Sequence, residues 1–169
     1  MQVVWGNKNS DKGMLMENKE LVDYFDESLF TANLKATTKD GVFEEFADLF
    51  EKAKVVRKKS ILLEMLHKRE TLGSTGIGKH VAIPHGRTTA AIDVRIAFGR
   101  SLQGIEFDAV DGEPVNLFFV VLAPPHDENN KYLPVLGKLV EVVSEKANRD
   151  HLMEVESFDE FVKVIGGEA

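Results

Sequence analysis

Between Arg69 and Arg87 the chain reads R-E-T-L-G-S-T-G-I-G-K-H-V-A-I-P-H-G-R, and no other window is comparably dense in glycine, hydroxyl, imidazole and cationic groups. His85 is the residue best suited to nucleophilic chemistry. With an unperturbed pKa near 6.5, neutral imidazole is abundant at pH 7 and can attack a phosphoryl group through a ring nitrogen. Pro84 fixes its own φ and has no N–H, and Gly86 leaves room beside the ring, so Pro-His-Gly presents a held but accessible side chain. Arg69 can offer a planar fork of donors to two oxygens of one phosphoryl group. Gly73, Gly76 and Gly78, with Ser74 and Thr75 among them, let backbone amides turn toward one point and form a concavity that suits anionic oxygens. The blander readings are a plain turn between helix and strand, a buried core histidine and a solvated cation at a helix end.

Other chemistries fit the same residues less well. Gly73 to Lys79 matches G-x-x-x-x-G-K, but His80 follows where a nucleotide-binding loop needs Ser or Thr, and the motif needs a strand before it and a helix after it. Here the pattern puts a helix before and a strand after. His67, His80, His85, His126 and His151 show no metal-ligand spacing such as H-E-x-x-H, so no metal is expected. Ser74 lacks the G-x-S-x-G context of a hydrolase nucleophile. The absence of cysteine removes disulfides, thiolate zinc sites and thiol nucleophiles.

The whole chain sets the frame for that segment. Its 169 residues suit one domain. Its 21 Lys+Arg against 28 Asp+Glu give a net charge of −7, which repels a phosphate backbone, so no nucleic-acid partner is expected. The longest apolar run, Leu117 to Ala123, is far short of the ~20 residues that span a bilayer, and a cytoplasmic protein is expected. Residues 1–19 are polar and aperiodic apart from Val3, Val4 and Trp5, and read as a mobile leader ahead of a single domain over 20–169.

Periodicity places the elements. Ser28 to Ala36 alternates as a strand. Asp40 can cap a helix over about 41–53, with Glu44 and Glu45 near its positive end. Ile61, Leu62, Met65 and Leu66 predict a second helix ending near Leu72. Val81–Ile83, Val94–Gly99, Gly104–Phe107 and Val115–Ala123 are short β-type runs, with Asp111-Gly112 as a turn. Leu133, Leu136, Val140, Val143 and Ala147 predict one long amphipathic helix from Asn130, with Pro134 in its first turn. Ser157 and Glu160 form a capping box before a last short helix. The order implies an α/β fold, a mixed β-sheet flanked by helices.

The Arg69–Arg87 segment resembles the signature of the enzyme IIA components of the fructose/mannitol class of the bacterial phosphotransferase system, a group that includes the nitrogen-regulatory IIA proteins. The resemblance extends from about Leu21 to Ile165. It implies that His85 accepts a phosphoryl group from the histidine-containing phosphocarrier protein, itself charged through enzyme I from phosphoenolpyruvate, without a cofactor. It also implies that Arg69 stabilises the phosphoryl group and that Ser74, Thr75 and Gly76 form the loop beside it. The family usually has a second active-site histidine in a His-Leu pair opening the long helix; here the pair is Tyr132-Leu133. A phenol can donate a hydrogen bond but carries no positive charge at pH 7, and His126 is the candidate spatial substitute. Phosphorylation would add about −1.5 to −2 charges around His85, by analogy with other phosphorylated side chains, and a docking partner implies an exposed apolar rim. The sequence contains no cysteine-bearing IIB or membrane-spanning IIC segment, which favours a nitrogen-type regulatory carrier. A sugar-pathway IIA component feeding a separate IIB domain, and a non-transferring binding module, are the alternatives.

Overall fold

The computed structural model of the chain describes residues 16–169. Its centre is a long antiparallel pair. The strand Val115–Ala123 is an unbroken apolar run because both of its faces are covered: Leu117, Phe119, Val121 and Ala123 enter one core, while Phe118, Val120 and Leu122 enter the other. The strands are β1 (Phe30–Thr31), β2 (Gly76–Gly78), β3 (Val81–Ala82), β4 (His85–Arg87), β5 (Arg95–Ile105) and β6 (Val115–Ala123). They form one sheet in the order β1-β5-β6-β3-β2, with β4 also on β6. The β5–β6 and β2–β3 pairs are antiparallel, and β1–β5, β3–β6 and β4–β6 are parallel. The expected mixed sheet flanked by helices is therefore what the chain forms.

The helices are α1 (Asn18–Val22), α2 (Lys39–Lys52), α3 (Lys59–Thr71), α4 (Tyr132–Ser144), α5 (Lys146–Leu152) and α6 (Phe158–Ile165). Buried residues of α2 and α3 join one core, and those of α1, α4, α5 and α6 join the other. The capping box of α6 forms as expected. The cap of α2 does not: Thr38 Oγ1 accepts from Gly41 N–H at 3.1 Å, and Asp40 sits inside the first turn.

Four further expectations are corrected. The boundary after residue 19 falls inside α1, and Met16 is buried in the core; residues 1–15 of the expected leader lie outside the described residues. The strand expected over Ser28–Ala36 pairs with β5 only at Phe30 and Thr31. Beyond it Leu34 N–H keeps one bond to β5, at Arg100 O (2.8 Å), and the Lys35 N–H goes to the Glu45 carboxylate of α2 at 2.7 Å instead of to a strand. The two runs Val94–Gly99 and Gly104–Phe107 become one strand, with a register irregularity between Arg100 and Ile105 that Gly104 accommodates at φ +80°. The single long C-terminal helix is two. The chain turns extended at Glu145, and the last carbonyls of α4 are taken by α5 side chains: Asn148 Nδ2 bonds to Val142 O at 2.8 Å and Arg149 Nη1 to Ser144 O at 2.7 Å.

Candidate functional site

The segment Val81–Arg87 lies alongside β6 in two pieces. Val81 and Ala82 pair with Leu117 and Phe118, and His85 to Arg87 pair with Val121 to Ala123. Between them Pro84 has no N–H to give to the ladder, and Ile83 N–H turns away to bond Thr75 O at 3.0 Å. The interruption aims the Ile83 carbonyl at the histidine: His85 Nδ1 lies 2.7 Å from Ile83 O. A carbonyl oxygen only accepts, so Nδ1 carries the proton and the lone pair of the neutral ring is on Nε2.

Alternation along β4 puts His85 and Arg87 on one side and Gly86 on the other. The Tyr132 ring stands against both, its centroid 6.5 Å from that of His85 and 4.8 Å from Arg87 Cζ. The second arginine of the site was missed by the sequence reading, although its i,i+2 spacing from His85 in an extended segment was a usable signal. Gly86 has a different task from the one expected. A Cβ there would run into Met65 of α3, so glycine lets α3 close onto β4 instead of clearing space at the ring.

His85 is half-buried, and its pKa is held below the ordinary imidazole value, chiefly by desolvation and further by the nearby Arg69 guanidinium, against the opposing Ile83 hydrogen bond. The neutral nucleophilic form is thereby favoured at pH 7. Tyr132, 7% exposed, has its pKa pushed up to about 12 by burial, partly offset by Arg87 and Arg69, so it stays a neutral phenol. Arg69 lies in the last turn of α3 and donates from Nη1 to Gly73 O at 3.1 Å. Arg87 Nη1 donates to Pro124 O at 3.1 Å. A groove of about 680 Å³ runs between α3 and β4, and its charged lining residues are Lys68, Arg69 and Arg87 against Glu64. Cations thus dominate this groove on a chain of net charge −7.

The loop does not make the expected cradle of free amides. Gly73 N–H bonds to Glu70 O at 3.2 Å, Thr75 N–H to Glu70 Oε1 at 3.0 Å, Gly76 N–H to Ser74 Oγ at 3.0 Å and Lys79 N–H to Asp111 Oδ2 at 2.9 Å. Ser74 Oγ in turn donates to Phe107 O at 2.7 Å. Thr75 and Gly76 are buried, and a Cβ on Gly76 would meet the Ala109 backbone at 2.9 Å, so this glycine serves close packing. Lys79 and His80, both with positive φ, make the turn between β2 and β3, which rules out the strand–loop–helix of a nucleotide loop.

The other histidines lie elsewhere. His126 is exposed on the loop before α4, and the ring that meets His85 is that of Tyr132. His80 Nδ1 bonds to Pro114 O at 2.8 Å, and the His67 ring packs edge-on against Phe43 at 5.3 Å. Among the described residues no cluster of three or more His, Cys, Asp or Glu could hold a metal, and no helix is long and apolar enough to cross a membrane.

The chain is similar to known proteins in sequence and in fold. The chain is 34% identical over 133 residues to the fructose-specific EIIABC component of the PTS from Bacillus subtilis, covering 79% of this chain and 21% of that protein, so it spans about a fifth of that relative's length. It is 36% identical over 120 residues to the fructose-specific EIIA component of Haloferax volcanii, covering 71% of this chain and 77% of that one. Among solved structures, the nitrogen regulatory protein IIA-Ntr from Neisseria meningitidis superposes with a TM-score of 0.79 at 35% identity, covering 86% of this chain and 98% of that chain. Residues 23–167 match the model of the phosphoenolpyruvate-dependent sugar phosphotransferase system EIIA 2 family, and the chain belongs to that family.

Proposed function

We propose that this chain is a phosphoryl carrier of the phosphotransferase system that accepts the group on Nε2 of His85. The observation that carries the reading is the 2.7 Å bond from His85 Nδ1–H to Ile83 O, which leaves the Nε2 lone pair as the nucleophile. The donor is the phosphohistidine of the histidine-containing phosphocarrier protein. Nε2 attacks phosphorus, the bond from phosphorus to the donor nitrogen breaks, and that electron pair returns to the donor's ring. Nδ1 keeps its proton throughout, and the positive charge that grows on the His85 ring faces the Ile83 carbonyl.

Phosphoryl transfer spreads charge over three equatorial oxygens, and catalysis consists mostly of positioning and electrostatic stabilisation. Arg69 and Arg87 supply that stabilisation. Tyr132, uncharged, orients Arg87 by its ring face and takes the place of the second histidine of the family. Leu72, which lines the groove, and Leu133, which follows Tyr132 in α4, are exposed and suit an apolar docking rim.

The test uses purified protein, phosphoenolpyruvate, enzyme I and the phosphocarrier. An acid-labile label is expected on the wild type and absent from His85→Ala. Equal labelling of both overturns the assignment to His85, and a folded wild type that takes no label overturns the carrier reading in favour of a non-transferring module. Relatives named for fructose transport and for nitrogen regulation both match, so the acceptor is resolved by a chase: loss of label to separate IIB domains assigns a sugar pathway, and retention assigns regulation. The structure of mannitol IIA in complex with phosphorylated mannitol IIB from Escherichia coli shares the fold, with a TM-score of 0.70 at 20% identity.

A further inference from the structure

Glu70 is the nearest carboxylate to this site in the sequence, beside Arg69, and phosphoryl chemistry gives it no direct use. Its side chain is only 8% exposed, and both oxygens are engaged: Oε1 takes Lys39 Nζ at 2.8 Å and Thr75 N–H at 3.0 Å, and Oε2 takes Thr75 Oγ1–H at 2.8 Å. A buried ion pair is not needed for stability, since apolar residues of similar volume generally serve as well. What this one fixes is the placement of Thr75, which is 2% exposed. Thr75 O receives Ile83 N–H at 3.0 Å, and Ile83 O receives His85 Nδ1–H at 2.7 Å. Two residues, Thr75 and Ile83, each bonded through both its N–H and its C=O, thus link the carboxylate to the imidazole.

Resting on the carrier reading, we infer that Glu70 is the positioning residue that selects the tautomer of His85, by clamping Thr75 so that the Ile83 carbonyl stays aimed at Nδ1. Lys39 holds the carboxylate in place from α2, its Nζ 2.8 Å from Oε1. Pro84 limits the chain from the other side, because its fixed φ leaves the Ile83 carbonyl few directions once its own N–H is anchored. Without the clamp, Ile83 is free to rejoin the ladder or rotate, and the ring loses the acceptor that keeps its proton on Nδ1. Neutral His85 then populates the form with the proton on Nε2, which has no lone pair at the attacking atom. The relation is the one by which outer partners of a reactive histidine set its tautomer.

The experiment measures the nitrogen-15 resonances of the His85 ring in unphosphorylated protein, alongside the rate of phosphoryl acceptance. The wild type is expected to hold the Nδ1–H form. Glu70→Gln keeps the size but loses the charge and one acceptor; the Nε2–H form is expected to become a major species and acceptance to slow about 10–100-fold. Thr75→Val, which deletes only the hydroxyl bond, is expected to shift the ring in the same direction by less, and Thr75→Ser to restore wild-type behaviour. A merely structural role would lower the denaturation midpoint of Glu70→Gln and leave the tautomer unchanged, and that result overturns the inference. Should Glu70→Gln fail to fold, the Thr75→Val and Thr75→Ser pair decides by the same readout. The tautomer is read without any phosphoryl donor, so a failure of labelling on wild-type His85 counts against the carrier reading alone.

Discussion

Arg100 and Arg69 carry the same guanidinium, and their surroundings differ in one respect that separates structure from chemistry. Arg100 is 0% exposed, and its donors meet Ala32 O at 3.0 Å, Met153 O at 2.9 Å and Val155 O at 2.6 Å, with the Glu156 carboxylate at 3.4 Å. It joins β5 to the turn between α5 and α6 and to the segment after β1. Arg69, among the described residues, bonds through Nη1 to a single carbonyl, Gly73 O, and borders an open groove. Arg87 is similar, with one bond to Pro124 O and its plane on Tyr132. A cation saturated by backbone is a structural tie. One held at a single carbonyl beside a groove keeps donors to offer an anion, the role proposed above for Arg69 and Arg87.

Substitutions can break that contrast. Arg100→Met orphans several buried carbonyls at about 1–3 kcal/mol each, so a loss of at least ~3 kcal/mol is expected in urea unfolding. Labelling per folded molecule is expected to stay at the wild-type level. Arg69→Ala is the mirror case: acceptance falls about 10²–10³-fold, the effect of removing one preorganised donor, while stability changes by less than about 0.5 kcal/mol. If Arg69→Ala unfolds the protein as badly as Arg100→Met does, the distinction drawn from donor saturation is wrong. Arg87→Ala is expected to slow acceptance about tenfold, toward the weaker end for a hydrogen bond to a charged group, measured in the same assay.

Titration gives subtler tests. The unfolded chain protonates His85 near the ordinary value of about 6.5, before the folded protein does, because burial lowers the folded pKa. Stability is therefore fully present above that value and declines as pH falls through it; thermal melts of His85→Gln should decline less steeply. Acceptance should be flat from pH 8 to about 6.5 for the same reason. A further effect is expected at alkaline pH. Tyr132 ionises in the unfolded chain near 10 but at about 12 in the folded protein, so stability should fall above pH ~10, and Tyr132→Phe should reduce that fall.

Much of this was legible from local pattern. β6 matches the apolar run Val115–Ala123, α3 ends where Gly73 requires, and Ser157 and Glu160 form their box. The reading failed where a distant partner decided the outcome. The stripe expected on the last long helix turned out to be offset: Leu133 is 62% exposed and Tyr132 is buried, because the Asp127 carboxylate takes Tyr132 N–H at 2.8 Å and starts the helix with that ring turned toward β4. The glycine-rich loop was legible as special but not in its use, since its amides bond to Glu70, Ser74 and Asp111 rather than to open space.

By itself the sequence determined which residue types are gathered at the site: a histidine set between proline and glycine, an arginine at a helix end, and a hydroxyl-rich loop, all fixed by spacing within one short segment. Only the tertiary structure decided which nitrogen of His85 is free, that Arg87 rather than His126 is the second charged partner beside Tyr132, and that Glu70 faces inward. Those outcomes depend on hydrogen bonds between strands and helices far apart along the chain, whose geometry exists only once both faces of the sheet are covered.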